Sequence, residues 1–194
     1  MELQSGQNIA LNQNTLRISV VYPKTATFHS DVDASAFMLS AQNKVRGDND
    51  FIFFNQPSAP NGSLHLTAAE ESSLLTLDLN RIDDDIKKIT MTLVIDGSDA
   101  VSGLQRIQLT VEGMATFNLS PLAGREEKAL ILGEVYRHNG GWKFRALGQG
   151  FNGGLEPLLL VWAAATMAFW VSWTTSRTAG SITHIFFRLM TLQR

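Results

Sequence analysis

Between residues 16 and 147 the chain is a succession of short β-rich runs parted by turn residues. Leu16-Arg17-Ile18-Ser19-Val20-Val21-Tyr22 mixes alternation with branched side chains and stops at Pro23. Residues 34–39 are apolar around one serine, Ser35. Phe51-Ile52-Phe53-Phe54 is a continuous apolar run, the pattern of a strand buried on both faces. Leu75-Thr76-Leu77-Asp78-Leu79 alternates, and so does Ile89-Thr90-Met91-Thr92-Leu93-Val94-Ile95. Residues 107–112, 115–119, 129–136 and 142–147 complete the series. Alternate side chains on a strand line opposite faces. With turns at this density, the pattern predicts an all-β chain folded as a two-sheet β-sandwich.

Two connections carry specific signals. His138-Asn139-Gly140-Gly141 parts two strand-like runs, and Asn-Gly supplies the positive φ angles of a tight hairpin turn. Asp83-Asp84-Asp85-Ile86-Lys87-Lys88 reads as a single helical turn, acids first and lysines last, as the helix dipole prefers. No internal repeat and no βαβ alternation is present in the sequence.

The composition changes after Glu156. Residues 157–194 contain no acid and no lysine, and they hold Trp162, Trp170 and Trp173, three of the four tryptophans. The domain is therefore predicted to occupy residues 1–157 and an apolar tail residues 158–194. Residues 158–173 are almost wholly apolar but fall short of the roughly twenty residues of a spanning helix. Three readings stand side by side: a membrane anchor, a buried core helix, and a segment foreign to the domain, such as a stretch read in the wrong frame. The abrupt loss of acids and lysines favours the third.

The net charge of −2 gives no basic field to recruit nucleic acid. The absence of cysteine excludes a disulfide scaffold, a thiolate metal site and a cysteine nucleophile. The N-terminus lacks a basic start followed by an apolar run, so a cytoplasmic location is expected.

The clearest polar constellation is acidic. Asp31-Val32-Asp33-Ala34-Ser35 opens one strand and Gly47-Asp48-Asn49-Asp50 precedes the next. Asp-x-Asp on an extended chain sets two carboxylates on one side, and hard cations such as calcium take six to eight oxygen ligands. An EF-hand does not fit: counted from Asp31, Ala36 stands at the required glycine and Gln42 at the bidentate glutamate. Any cation would be held by loops of the sandwich, and acids at loop ends otherwise form a solvated rim. Gly148-Gln149-Gly150-Phe151-Asn152-Gly153 matches the dinucleotide pattern, yet no βαβ unit surrounds it and no acid follows at ribose-binding distance, which leaves a glycine-rich corner. His29, His65, His138 and His184 are dispersed, and no metalloprotease, nucleophile-elbow or phosphate-loop motif occurs. Glu134, inside an apolar run, is expected to pair across strands with Lys143 or Arg145 rather than to act as a catalytic acid.

Several segments resemble one family in order and spacing. They are Gly6-Gln7-Asn8-Ile9-Ala10-Leu11, Asp31-Val32-Asp33-Ala34-Ser35-Ala36-Phe37 and Asp48-Asn49-Asp50-Phe51-Ile52-Phe53-Phe54-Asn55-Gln56-Pro57. Gly133-Glu134-Val135-Tyr136-Arg137, Trp142-Lys143-Phe144-Arg145-Ala146 and Gly148-Gln149-Gly150-Phe151-Asn152-Gly153-Gly154-Leu155 follow. Together they resemble the TerD-like tellurium-resistance domains over about residues 3–157, nearest in flavour to the TerA branch. The resemblance implies a two-sheet sandwich, a bacterial cytoplasmic protein of the tellurite and stress response, no enzymatic activity, and partners among other stress-resistance proteins. Some members bind calcium. Carried over by position, Asp31, Asp33, Asp48 and Asn55 fall at the family's acidic and amide positions near its calcium loops, with Asp50 in support. The family's acid-rich loop corresponds here to residues 58–73, whose only acids are Glu70 and Glu71, so calcium is expected to bind weakly. Reduction of tellurite needs electrons, and a chain without cysteine or a credible flavin or nicotinamide motif supplies none. The alternatives are a calcium-independent scaffold and a membrane-associated protein anchored by residues 158–173.

Overall fold

The computed structural model describes residues 1–152. The predicted boundary at 157 and the apolar tail lie outside the described residues. Twelve strands form: β1 (Glu2–Leu3), β2 (Asn8–Leu11), β3 (Thr15–Val21), β4 (Asp31–Leu39), β5 (Phe51–Ile52), β6 (Leu64–Ala69), β7 (Ser72–Asp78), β8 (Lys88–Asp96), β9 (Ile107–Val111), β10 (Ala115–Leu119), β11 (Ala129–His138) and β12 (Gly141–Phe151). They make two six-stranded sheets, ordered β1-β10-β9-β3-β7-β6 and β2-β12-β11-β8-β4-β5. All pairings are antiparallel except β1 with β10. The all-β, two-sheet expectation is met.

The two sheets bury a shared apolar layer. Ile18, Leu77 and Val111 of the first sheet meet Met91, Leu93, Leu132 and Phe144 of the second. A fully buried side chain of this size contributes about 1.5–3 kcal/mol. Tyr22 is fully buried in the same layer, and its hydroxyl pairs with Ser73 Oγ at 2.9 Å. Burial pushes the Tyr22 phenol up from its ordinary value, so it stays neutral. The space left between the sheets beside Ile18, Ala36 and Leu132 is about 10 Å³, room for one water and not for a substrate.

The two sheets differ in their outer faces. In the first, buried and open positions alternate along β3, β7, β9 and β10. Its outward side chains are polar, among them Arg17, Thr76, Gln108 and Thr110. In the second, β4, β8 and β11 are buried on both faces for most of their length. Phe37, Phe51, Val94, Ala129 and Ile131 form a separate apolar cluster on the outward side. Thr90 and Thr92, which look like the wet half of an alternating strand, are 2% and 1% exposed.

The predicted hairpin is present: Asn139 (φ 48°) and Gly140 (φ 79°) join β11 to β12, with His138 opposite Gly141. Three expectations are corrected. Residues 83–88 are not a helical turn. Ile86 N–H donates to the Asp83 carbonyl at 3.0 Å, closing a β-turn around the buried Ile86, and a 3-10 turn lies earlier at Leu79–Arg81. Arg137 accounts for the difference, because it donates to the carbonyls of Ile82 and Ile86 that a helix would have used. The run Phe51-Ile52-Phe53-Phe54 gives a strand of only Phe51–Ile52, since Phe53 and Gln56 then exchange backbone hydrogen bonds and turn the chain. Gly148 and Gly150 lie inside β12, which is antiparallel to β11, so they form no corner. Strands β1, β2 and β6 were not anticipated from the pattern.

The two buried threonines give a paired test. Thr92 Oγ1 is 2.6 Å from Ser35 Oγ, whereas Thr90 Oγ1 has no partner among the described residues. Valine keeps the shape and the branching of threonine. Thr92→Val is expected to lower the stability to urea by about 1 kcal/mol, and Thr90→Val to raise it by a similar amount, because an unpaired buried hydroxyl costs about 1–3 kcal/mol. Loss of stability in both variants would show that Thr90 does find a partner.

Candidate functional site

The strand pattern that builds the second sheet also sorts its acids. Asp31 and Asp33 lie two residues apart and share the outward face of β4. Across the ladder Asp31 stands opposite Asp96, the last residue of β8, and Asp33 stands opposite Val94. The Asp96 Oδ2 atom is buried and takes no hydrogen bond among the described residues. The loop after β8 folds back onto the start of β4. Asp99 Oδ2 accepts from His29 N–H at 2.8 Å, Ser30 N–H at 2.8 Å and Ser30 Oγ at 2.7 Å, and Asp99 N–H donates to Ser30 Oγ at 3.0 Å. Gly97 (φ 141°) lets the loop lie this close, since a Cβ there would sit 2.3 Å from Ser30 Oγ.

Asp48 and Asp50 are at the other end of β4. They form a 3-10 turn leading into β5, where Phe51 pairs with Phe37. At about 3.3 Å per residue, the four steps from Asp33 to Phe37 alone separate the pairs by roughly 13 Å. Ligands of one calcium ion lie about 2.3–2.6 Å from it. The five predicted residues therefore do not share a cation. Asp50 is already engaged: Arg46 N–H (2.7 Å) and Nε (2.9 Å) donate to its Oδ2, and Arg46 Nη2 (2.8 Å) to its Oδ1. The same guanidinium reaches Asp83 Oδ2 at 3.0 Å, and Asp50, with Asp83, raises its pKa further. Asp48 is exposed, and its carbonyl accepts from the Gln56 amide at 2.7 Å. Asn55 is exposed in the turn between Phe53 and Gln56. Among the described residues no three His, Asp or Glu side chains converge as a metal site does.

Two acids escaped the sequence reading. Asp96 looked like the end of an alternating strand and Asp99 like a turn residue. The signal was present in Asp96-Gly97-Ser98-Asp99, an acid-flanked turn at the end of a long strand. Only the register of β4 against β8 puts it beside Asp31.

The remaining candidates are structural. Glu134 is 6% exposed and pairs with Lys88 Nζ at 3.1 Å and Arg145 Nε at 3.5 Å. Arg145 was an expected partner. Lys143 instead stands opposite Tyr136, and Lys88 of β8 supplies the second cation. Arg145 also lies over the Tyr136 ring at 4.7 Å, as Arg137 lies over Trp142 at 4.4 Å. His65 Nδ1 meets Ser58 Oγ at 2.7 Å in an exposed pair, and His138 sits edge-on to Tyr136. His184 lies outside the described residues. Among the described residues no helix is long and apolar enough to cross a membrane.

Comparison with known proteins places these features in context. The model of the TerD domain matches residues 1–161. Over 146 residues the chain is 38% identical to the tellurium resistance protein TerD of Serratia marcescens, covering 66% of this chain and 75% of that protein. It is 46% identical over 110 residues to the tellurium resistance protein TerA of an Alcaligenes species, 55% of this chain and 32% of that protein. The chain thus spans about a third of the length of that relative. A solved structure of a TerD homologue from Streptomyces coelicolor A3(2) superimposes with a TM-score of 0.60 at 17% identity, covering 76% of this chain and 95% of that one. That likeness concerns the fold.

The clasp at Asp99 gives a pH prediction. Hydrogen bonds from the Ser30 side chain and from the backbone of His29 and Ser30 hold the Asp99 pKa below its ordinary value of 3.8. A carboxylate depressed in the folded state contributes stability that is fully present above its unfolded pKa and is lost as pH falls through the folded one. Urea midpoints should therefore fall more steeply below about pH 4 in the parent chain than in Asp99→Asn. Parallel curves for the two proteins down to pH 2 would exclude the clasp as a source of acid sensitivity.

Proposed function

Because the chain belongs to the TerD domain family, we propose that it is a non-enzymatic binding module of the bacterial response to tellurite and related stresses, tuned by a weakly held calcium ion. It works in the cytoplasm and docks other stress-resistance proteins. The observation that carries the reading is the pairing of Asp31 with Asp96. Like charges directly opposite each other on neighbouring strands destabilise a sheet. A bound cation or the basic group of a partner turns that repulsion into attraction.

The residues present fit calcium in part. Asp31, Asp33 and Asp96 offer hard oxygen donors on one face, and the buried Asp96 Oδ2 is left without a hydrogen bond among the described residues. The set is poor in ligands, which supports affinity of about 10⁻⁴ to 10⁻³ M, the range of the weaker calcium modules. Asp48, Asp50 and Asn55 belong to the far end of β4 and take no part. The ion's role is electrostatic: it neutralises the carboxylates where the clasped 96–99 loop meets the start of β4, and so fixes that end of the sandwich as a recognition surface.

Millimolar calcium should raise the thermal midpoint of the full chain. At roughly tenfold excess over the dissociation constant, binding to the native state adds about 1.4 kcal/mol. For a chain of this size that is roughly 3–5 °C. Asp31→Asn and Asp96→Asn should abolish the shift and, by removing the repulsion, stabilise the metal-free protein. Asp48→Asn should keep the shift intact. If calcium moves none of these melts, the acids are a solvated rim and the domain is a calcium-independent scaffold.

A further inference from the structure

The outward side of the second sheet carries side chains that do not belong on a wet surface. Phe37 of β4, Phe51 of β5, Val94 of β8 and Ala129 and Ile131 of β11 are all no more than 7% exposed, on the face turned away from the inter-sheet core. The equivalent face of the first sheet is polar and open. Antiparallel sheets can leave one face in water, and strands that are apolar on both faces require a second cover.

We propose that this cover is the chain's own continuation beyond the last described residue, residues 153–161. Four observations point to it. First, β12 ends on this face: Phe151 stands opposite Ala129 and packs against the outward cluster, so the chain leaves the sandwich there. Second, the TerD domain match runs to residue 161, so these residues belong to the domain and not to the stretch after it. Third, they carry Leu155, Leu158, Leu159, Leu160 and Val161, with Glu156 their only charge. Fourth, the reach is sufficient. Crossing from β12 to β5 takes four strand spacings of about 4.8 Å, roughly 19 Å. Nine residues span up to roughly 30 Å when extended.

The tether also decides between occupants. A segment attached at the rim of its own site acts at an effective concentration in the millimolar range, well above that of a second copy of the chain. The apolar run that starts at Leu158 thus serves, over its first few residues, as the lid of the second sheet's outer face. This inference stands independently of the cation reading.

The chain contains no cysteine, so one introduced thiol reports one position. Val94→Cys in the full-length chain places it on the outward face, and Val135→Cys places a control in the inter-sheet core. Under native conditions both thiols should react slowly with an alkylating reagent. Adding Leu158→Asp and Leu160→Asp should speed the reaction at position 94 by about tenfold or more, as expected for a local opening, and leave position 135 protected. The proposal is overturned by a Val94→Cys thiol that reacts at once in the parent chain. It is also overturned by protection that the aspartates do not change, or by protection that is lost on dilution, the mark of a second copy. Should the aspartates expose both thiols by unfolding the domain, spin labels at Val94→Cys and Leu159→Cys in the otherwise unaltered chain decide the matter. A narrow distance distribution below about 20 Å, the width of this sheet face, supports the cover, and a broad, longer one refutes it.

Discussion

Everything in this molecule depends on one apolar layer shared by two sheets, with no covalent cross-link to hold them. There is no cysteine, and the layer is closed enough that the gap beside Ile18 and Leu132 admits one water at most. Polar groups enter the layer only when paired, as Tyr22 does through Ser73. The loops at the two ends of the second sheet are then tied by side chains that satisfy backbone groups. Asp99 gathers the amides of His29 and Ser30 at one end, and Arg137 gathers the carbonyls of Ile82 and Ile86 at the other. One tie uses an anion for donors and the other a cation for acceptors, and each leaves its loop with few conformations to choose from.

The sheets divide the labour. The first is wet on its outer side and closed at its β6 edge, where Leu66 N–H donates to the Pro57 carbonyl and Ala59 N–H to the Leu64 carbonyl. A proline-flanked segment laid along an edge in this way blocks addition of a foreign strand. The second sheet holds the charge. Glu134 draws Lys88 and Arg145 together over three strands, and Asp31 faces Asp96 two strands away. The contrast is informative: the buried carboxylate between two cations is satisfied, whereas the paired carboxylates near the β4 entrance are a site of unmet charge. Functional sites are where local rules are expected to be broken.

Much of the fold was legible because alternation is a direct image of a sheet with one wet face. β3, β7, β9 and β10 were found for that reason, and Asn139-Gly140 was found because few dipeptides tolerate two positive φ angles. The short strands were not. β1 and β2 are held by partners more than a hundred positions away, Phe117 opposite Leu3 and Phe144 opposite Ile9, and their own residues show no period. Thr90 and Thr92 mimic the wet half of a strand, and nothing local reveals that their side is covered. The candidate site was half legible. Asp31 and Asp33 share a face by spacing alone, but Asp96 joins them only through the register of β4 on β8. Asp48 and Asp50 look like neighbours of Asp33 in sequence, and strand rise carries them to the opposite end.

The pairing of both N-terminal strands with C-terminal ones has a consequence for synthesis on the ribosome. β1 waits for β10, and β2 waits for β12, the last strand described. At about 5–20 residues per second, Ile9 emerges roughly ten seconds or more before Phe144 is even polymerised. The first strands leave the exit tunnel with no mate, and the interval must be bridged by solubility. Their sequence suits that delay: Ser5-Gly6-Gln7-Asn8 and Asn12-Gln13-Asn14 surround the short apolar stretch with uncharged polar residues and a glycine, a poor template for premature association. The sandwich is thus sewn shut from its final strand backwards, and a nascent chain halted before Phe144 is an unsealed one.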